Sequence, residues 1–148
     1  MKIVVKDKNM IKYKYSEKFI EELNLKQLEN EYSLSNKNYN LAIYYALSAV
    51  EQHYKEIVTN KISTIPLLMG DYYSFEYYYL LKDDLQKLDE LTTVMKEGYK
   101  SLINNGNVVD FFESIIKVLF NFYNKIIKKE DAEKLLQKFK KYFNLRKI

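Results

Sequence analysis

STIPLLMGDYYSFEYYYLL, residues 63–81, is the stretch whose reading decides the fold. Ile65, Leu68, Met69, Tyr72, Tyr73, Tyr79 and Leu80 recur along it at helical spacing, which predicts a helix buried around much of its circumference and central to the molecule. Ser63 or Thr64 can cap its start by accepting a hydrogen bond from a backbone N–H, and Pro66 has no donor to lose in a first turn. A glycine inside a helix costs about 1 kcal/mol relative to alanine. Gly70 therefore predicts a compensating close approach, by another backbone or by an apolar ligand. Asp71 stands between Met69 and two tyrosines. A carboxylate buried there needs a partner, and the expectation is a lysine, a tyrosine hydroxyl or a helix N-terminus.

Working outward, composition agrees with an all-α protein. A chain of 148 residues implies one domain that buries about 70% of the surface its unfolded form exposes. With 47% hydrophobic residues, one proline and three glycines, sustained helix is favoured over a turn-rich sheet. The net charge of +4 comes from lysines and acids mixed along the chain, the pattern of a solvated face, and Arg146 is the only arginine. Clustered basic residues and base-reading motifs are missing, so no nucleic-acid partner is expected. Without cysteine, disulfides and thiolate metal sites are excluded. Met1–Lys6 holds only Ile3, Val4 and Val5 between charges, too little for a signal-peptide core or a membrane span. A cytoplasmic location is the expectation.

Residues 1–15 read as an N-terminal arm and residues 16–148 as one helical bundle domain of about six helices. Ser16 precedes a helix to about Glu31 whose face is Phe19, Ile20, Leu23 and Leu28, followed by a loop to Asn40. A second helix is expected from about Asn38 to Thr59, with Leu41, Tyr45, Ala49, His53 and Ile57 near one face. It should pack antiparallel on the helix that starts near Thr64, with Gly70 at a close contact between them. Asp83 or Asp84 can cap a helix to about Ile103 that buries Leu85, Leu88, Leu91, Met95, Tyr99 and Leu102, unless the preceding helix runs on unbroken. Asn104–Asn107 is the clearest break, because glycine and asparagine tolerate the left-handed backbone that ends helices. Asp110 with Glu113 reads as a capping box for a helix whose stripe is Phe112, Ile115, Ile116, Leu119, Phe120 and Tyr123. A last helix, about Asp131 to Phe143, turns Leu135, Leu136, Phe139, Tyr142 and Phe143 inward.

Gly70-Asp71-Tyr72-Tyr73-Ser74, followed by Tyr77-Tyr78 and Leu80-Leu81, resembles the GDY helix of the all-trans polyprenyl diphosphate synthases. It is most similar to the small subunit (component I) of the two-component heptaprenyl and hexaprenyl diphosphate synthases. Ser48-Ala49-Val50-Glu51-Gln52-His53 resembles the segment those subunits carry in the preceding helix, and Asp110-Phe111-Phe112-Glu113-Ser114 resembles a downstream one. The likeness spans about Leu41 to Tyr123 and implies a truncated isoprenoid-synthase fold.

In the catalytic synthases, the resemblance implies, a DDxxD cluster before the GDY helix binds magnesium and the allylic diphosphate. Acids at that spacing put oxygens on one helical face, as a hard cation bridging phosphates requires. Here Gln52-His53-Tyr54-Lys55-Glu56 occupies that place. Starting the register at Glu51 instead sets Lys55 at the last acid position, where an ammonium repels the metal. Asp83, Asp84 and Asp89 lie after the GDY helix and lack the accompanying arginines, so they read as a cap and solvated acids. The family's second aspartate-rich motif would fall beyond residue 148. His53, the only histidine, reads as a packed residue rather than a base or ligand.

The expectation is therefore a non-catalytic small subunit, with no catalytic residue, metal ligand or cofactor of its own. A catalytic large subunit would hold magnesium and condense isopentenyl diphosphate onto an allylic diphosphate, giving a menaquinone side-chain precursor. Ser48, Gln52, His53, Met69, Gly70, Asp71, Tyr72, Tyr73 and Tyr77 are the candidates for the partner interface or the wall of the product chain. Ser48, Gln52, Tyr72, Tyr73 and Tyr77 are expected on an apolar surface left open for the partner. The alternative is a free-standing helical module that binds an isoprenoid, another lipid or a protein, with its tyrosine-rich helix covered by its own chain.

Overall fold

A computed structural model describes residues 25–59, 64–135 and 137, with side chains at all of these except 25, 55–59, 64–67 and 69. The N-terminal arm, the start of the first helix, the cap at Ser63 and the end of the last helix lie outside the described residues. Those residues contain helices and no strand. The helices are α1 (Leu25–Glu31), α2 (Lys37–Thr59), α3 (Thr64–Leu81), α4 (Leu85–Ile103) and α5 (Val108–Phe122). A further helical segment, α6, covers residues 129–135.

The direction of each helix follows from who meets whom. Near the start of α2, the Tyr39 hydroxyl donates to Asp84 Oδ2 at 3.2 Å, just past the end of α3. Near the other end, His53 meets Gly70 and Asp71 early in α3. The two helices are antiparallel, as expected, and they form the most extensive helix pair of the molecule. Lys87 Nζ lies over the Tyr39 ring, 5.3 Å from its centroid, while His53 meets Tyr99 late in α4 at 5.5 Å, so α2 and α4 run parallel. Asn121 Nδ2 donates to Glu90 Oε1 at 3.2 Å, and Phe111 packs at Gly98, so α5 runs back along α4. Tyr39 against Phe122, with centroids 5.3 Å apart, closes the ring. Helices α2 to α5 are thus an up-down-up-down bundle, the arrangement that short connections favour. Contact between α3 and α4 is sparse.

The helix ends show why the breaks fall where they do. Asp84 caps α4, its Oδ1 accepting from the Lys87 N–H at 3.4 Å and its Oδ2 lying 3.6 Å from Lys87 Nζ, so α3 does not run on. At the second break Asn105 takes the left-handed backbone, with φ 65. Gly106 serves differently: its N–H donates to the Ser101 carbonyl at 2.6 Å, and a β-carbon there would stand 2.6 Å from that oxygen. The capping box expected at Asp110 is not the start of α5. Asn107 is the cap, accepting from the Val109 N–H at 2.7 Å, which leaves Asp110 in the first turn and Glu113 paired with Lys117 at 3.3 Å.

Tyrosine hydroxyls tie the chain before α2 to the chain after α5. Tyr32 accepts from the Lys128 N–H at 3.0 Å, donates to Asp131, and meets Phe120 edge-on at 4.8 Å. Tyr123 accepts from the Asn36 N–H at 2.8 Å and sits 2.8 Å from Asn40 Oδ1.

The core departs from the expectation in one respect that matters. Eight consecutive residues of α2, Tyr45 to Gln52, are buried, more than two turns and hence every face. The central helix is α2, not α3. Ala42, Ala46, Ala49 and Ser48 keep it thin, so neighbours approach on all sides, whereas α3 buries Tyr72, Tyr73, Tyr77 and Leu81 and turns other large side chains outward. Leu85 is also exposed rather than buried. Glu90 is already level with the last turn of α5, so Leu85, more than a turn earlier, lies past the end of that helix. Among the described residues no helix is long and apolar enough to cross a membrane.

Candidate functional site

The segments Ser48–His53 and Gly70–Ser74 face each other across the α2–α3 pair. Their meeting point is Gly70, where an added β-carbon would stand 2.5 Å from His53 Cε1 and overlap the ring. The close approach expected at this glycine is therefore present, and its occupant is an imidazole. The His53 ring is held from the other side by Tyr99, T-shaped at 5.5 Å, and Tyr99 in turn packs edge-on at 5.1 Å against Phe111. Phe111 fits because α4 has Gly98 there, where any β-carbon would collide with its ring. A chain of contacts so crosses the bundle from α3 through α2 and α4 to α5.

Asp71 is not buried as expected. Its side chain is 68% exposed, with His53 Nε2 3.9 Å from Oδ1 in place of a lysine, tyrosine or helix end. The reason is helical phase: Asp71 follows Leu68 by three residues and shares its outward face.

Ser48, Glu51 and Gln52 put polar groups in the core of α2. The Ser48 hydroxyl donates to the Tyr44 carbonyl one turn back at 3.0 Å, and Gln52 Nε2 reaches Glu51 Oε1 at 3.5 Å. Opposite them Tyr73 stacks on Tyr45 at 5.8 Å and leans on Tyr72 at 5.5 Å. Burial pushes the Tyr45 phenol up to about 12, helped by the Glu76 carboxylate. Burial likewise raises Tyr72, with Glu76 again adding to it, and Tyr77.

Ser48, Gln52, Tyr72, Tyr73 and Tyr77, expected on an open surface, are all buried within the chain. Met69 has no described side chain. The surface that α3 leaves open is made instead of Leu68 and Tyr79, both expected to be buried, with Phe75 and Tyr78; they are exposed by 60%, 56%, 53% and 47%. Advancing 100° per residue separates the two sets, since Tyr73, Tyr77 and Leu81 point one way and Leu68, Phe75, Tyr78 and Tyr79 the other. Counting apolar residues along the segment hid that division, because both faces are aromatic.

At the place of the DDxxD cluster Gln52 is buried and the His53 imidazole packs on Tyr99, while the side chains of Lys55 and Glu56 lie outside those described. What the arrangement supplies is a rigid, aromatic helix pair with an apolar outer stripe. No family model, curated protein or solved structure matches the chain.

Proposed function

We propose that the chain is the non-catalytic small subunit of a heterodimeric all-trans polyprenyl diphosphate synthase, acting in the cytoplasm beside a catalytic large subunit that holds magnesium. The observation that carries this reading is the pairing of two sequence-distant segments, Ser48–His53 and Gly70–Ser74. Each resembles a segment of that family, and they lie against one another with Gly70 closed on His53. In this reading the buried tyrosines of α3 stiffen the helix, and its outer stripe of Leu68, Phe75, Tyr78 and Tyr79 docks on the large subunit. The menaquinone-precursor chain then elongates along that seam. The test is co-expression with the catalytic large subunit from the same cell. The expected result is a co-eluting complex whose magnesium-dependent elongation of farnesyl diphosphate exceeds that of the large subunit alone, with no condensation by the pure chain. Elongation by the pure chain would overturn the non-catalytic assignment.

One observation favours a second reading, a free-standing helical binding module. Tyr72, Tyr73 and Tyr77 are covered by the chain itself, which is part of what such a module requires, while Tyr78 and Tyr79 are not. Separate elution from the large subunit, with synthase activity unchanged by the chain, would select it.

A further inference from the structure

The outward stripe of α3, with Lys82 just past its end, is self-complementary about its centre. Leu68, Asp71, Phe75, Tyr78 and Lys82 follow one another at intervals of three and four residues, the spacing of a helix-pairing seam, and all are exposed. Reversing the stripe about its midpoint, between Phe75 and Tyr78, sets Phe75 opposite Tyr78 and Asp71 opposite Lys82. Helix α3 ends at Leu81, so Leu68 has no counterpart on it. Apolar meets apolar at the centre of the stripe, and acid meets base at its two ends.

We infer that two copies of this chain pair through α3, antiparallel about a twofold axis. A twofold interface brings the same patch from both partners together, so it requires this kind of self-complementarity. The charges suit the geometry. Asp71 remains largely in solvent despite His53 at 3.9 Å, and Lys82 Nζ is held on the stripe, 4.5 Å above the Tyr79 ring. Each dimer would contain the Asp71–Lys82 pair twice, at the two ends of a central aromatic cluster. Antiparallel packing also opposes the two helix dipoles.

The area sets the strength. Aromatic side chains present about 150–250 Å² each, so Phe75, Tyr78 and Tyr79 at their observed exposure, with Leu68, amount to about 400 Å² on one protomer. Twice that is below the roughly 1,000 Å² of a stable interface, and the stems of Asp71 and Lys82 bring it only near that figure. The dimer is therefore weak, with a Kd on the order of micromolar. This pairing does not rest on the synthase reading. If that reading holds, the large subunit displaces the second copy from the same stripe.

Sedimentation equilibrium on the pure full-length chain tests it. The expected result is a monomer–dimer equilibrium in which Asp71→Lys alone, or Lys82→Asp alone, raises Kd at least about tenfold, because like charges then oppose each other at both ends. An equimolar mixture of the two variants should recover the wild-type Kd, since every opposed pair in that mixed dimer is again acid against base. Phe75→Glu, which leaves both native charges in place, should also dissociate the dimer, with circular dichroism confirming that each variant keeps its helix. A wild-type chain that stays monomeric up to about 100 μM, well above the expected Kd, overturns the proposal. So does a dimer indifferent to both charge reversals, or a mixture that fails to recover.

Discussion

Helices α2 and α3 pack on each other, yet they solve opposite problems. Helix α3 carries eight large apolar or aromatic residues from Tyr72 to Leu81 and still stands at the edge of the bundle, half of it facing water. Helix α2 is poorer in bulk, with Ala42, Ala46, Ser48 and Ala49, a glutamate and a glutamine, and it is buried on every face. Centrality in this fold is thus decided by how closely neighbours can approach, and side-chain hydrophobicity does not set it. Small side chains let several helices reach α2 at once. Helix α3 meets α2 broadly and α4 only sparsely.

The strongest way to break this comparison is alkali. Burial raises the phenols of Tyr45, Tyr72 and Tyr77 above the tyrosine value near 10 that the unfolded chain keeps. A group whose folded pKa is raised stabilises the fold fully below its unfolded pKa and loses that contribution as pH climbs through the folded one. The bundle should therefore hold its stability up to about pH 10 and lose it as pH rises through about 12. Helix loss followed by circular dichroism should coincide with ionisation of the buried phenols in the absorbance spectrum. Ionisation of all three well before the helix signal falls would mean that the inner face of α3 is open.

Next in size is a pair of truncations on the two faces of one helix. Tyr73→Ala removes a fully buried ring stacked on Tyr45 and should cost about 3–5 kcal/mol, judged by urea unfolding. Tyr79→Ala removes a ring from the outward stripe and should stay within about 0.5 kcal/mol of wild type. Equal costs would erase the distinction between the faces. A smaller destabilisation than that of Tyr73→Ala sharpens the account of α2: Ala46→Leu adds bulk at a fully buried position and should destabilise the fold by about 1–3 kcal/mol despite being more hydrophobic, measured as a lower thermal midpoint.

Much of the fold was legible before any coordinates. The span of α2 was off by one residue at its start, the Asp84 cap and the break at Asn104–Asn107 lay where turn chemistry puts them, and Gly70 announced its close contact. The misreadings share one cause. Asp71, Leu85 and the tyrosines of α3 are assigned from spacing within one segment and from a resemblance, whereas their exposure depends on which side of a helix faces which neighbour and where that neighbour ends. Gly98, inside the expected α4, carried the same signal as Gly70, but nothing local names its occupant, the ring of Phe111, which belongs to another helix. Asn107 could have been read as a cap from its side chain, but Asp110 with Glu113 offered the fuller motif and masked it.

The sequence by itself determined that this is a helical protein and where the breaks around α4 fall, because periodicity, caps and breaks are properties of neighbouring residues. It also determined that Gly70 must meet something. Only the tertiary structure decided what that something is, which helix is central, and which of the tyrosines face water. Those outcomes follow from distances between segments far apart in the chain, and in an aromatic helix both faces are apolar enough to be buried, so the choice between them falls to the packing of α2.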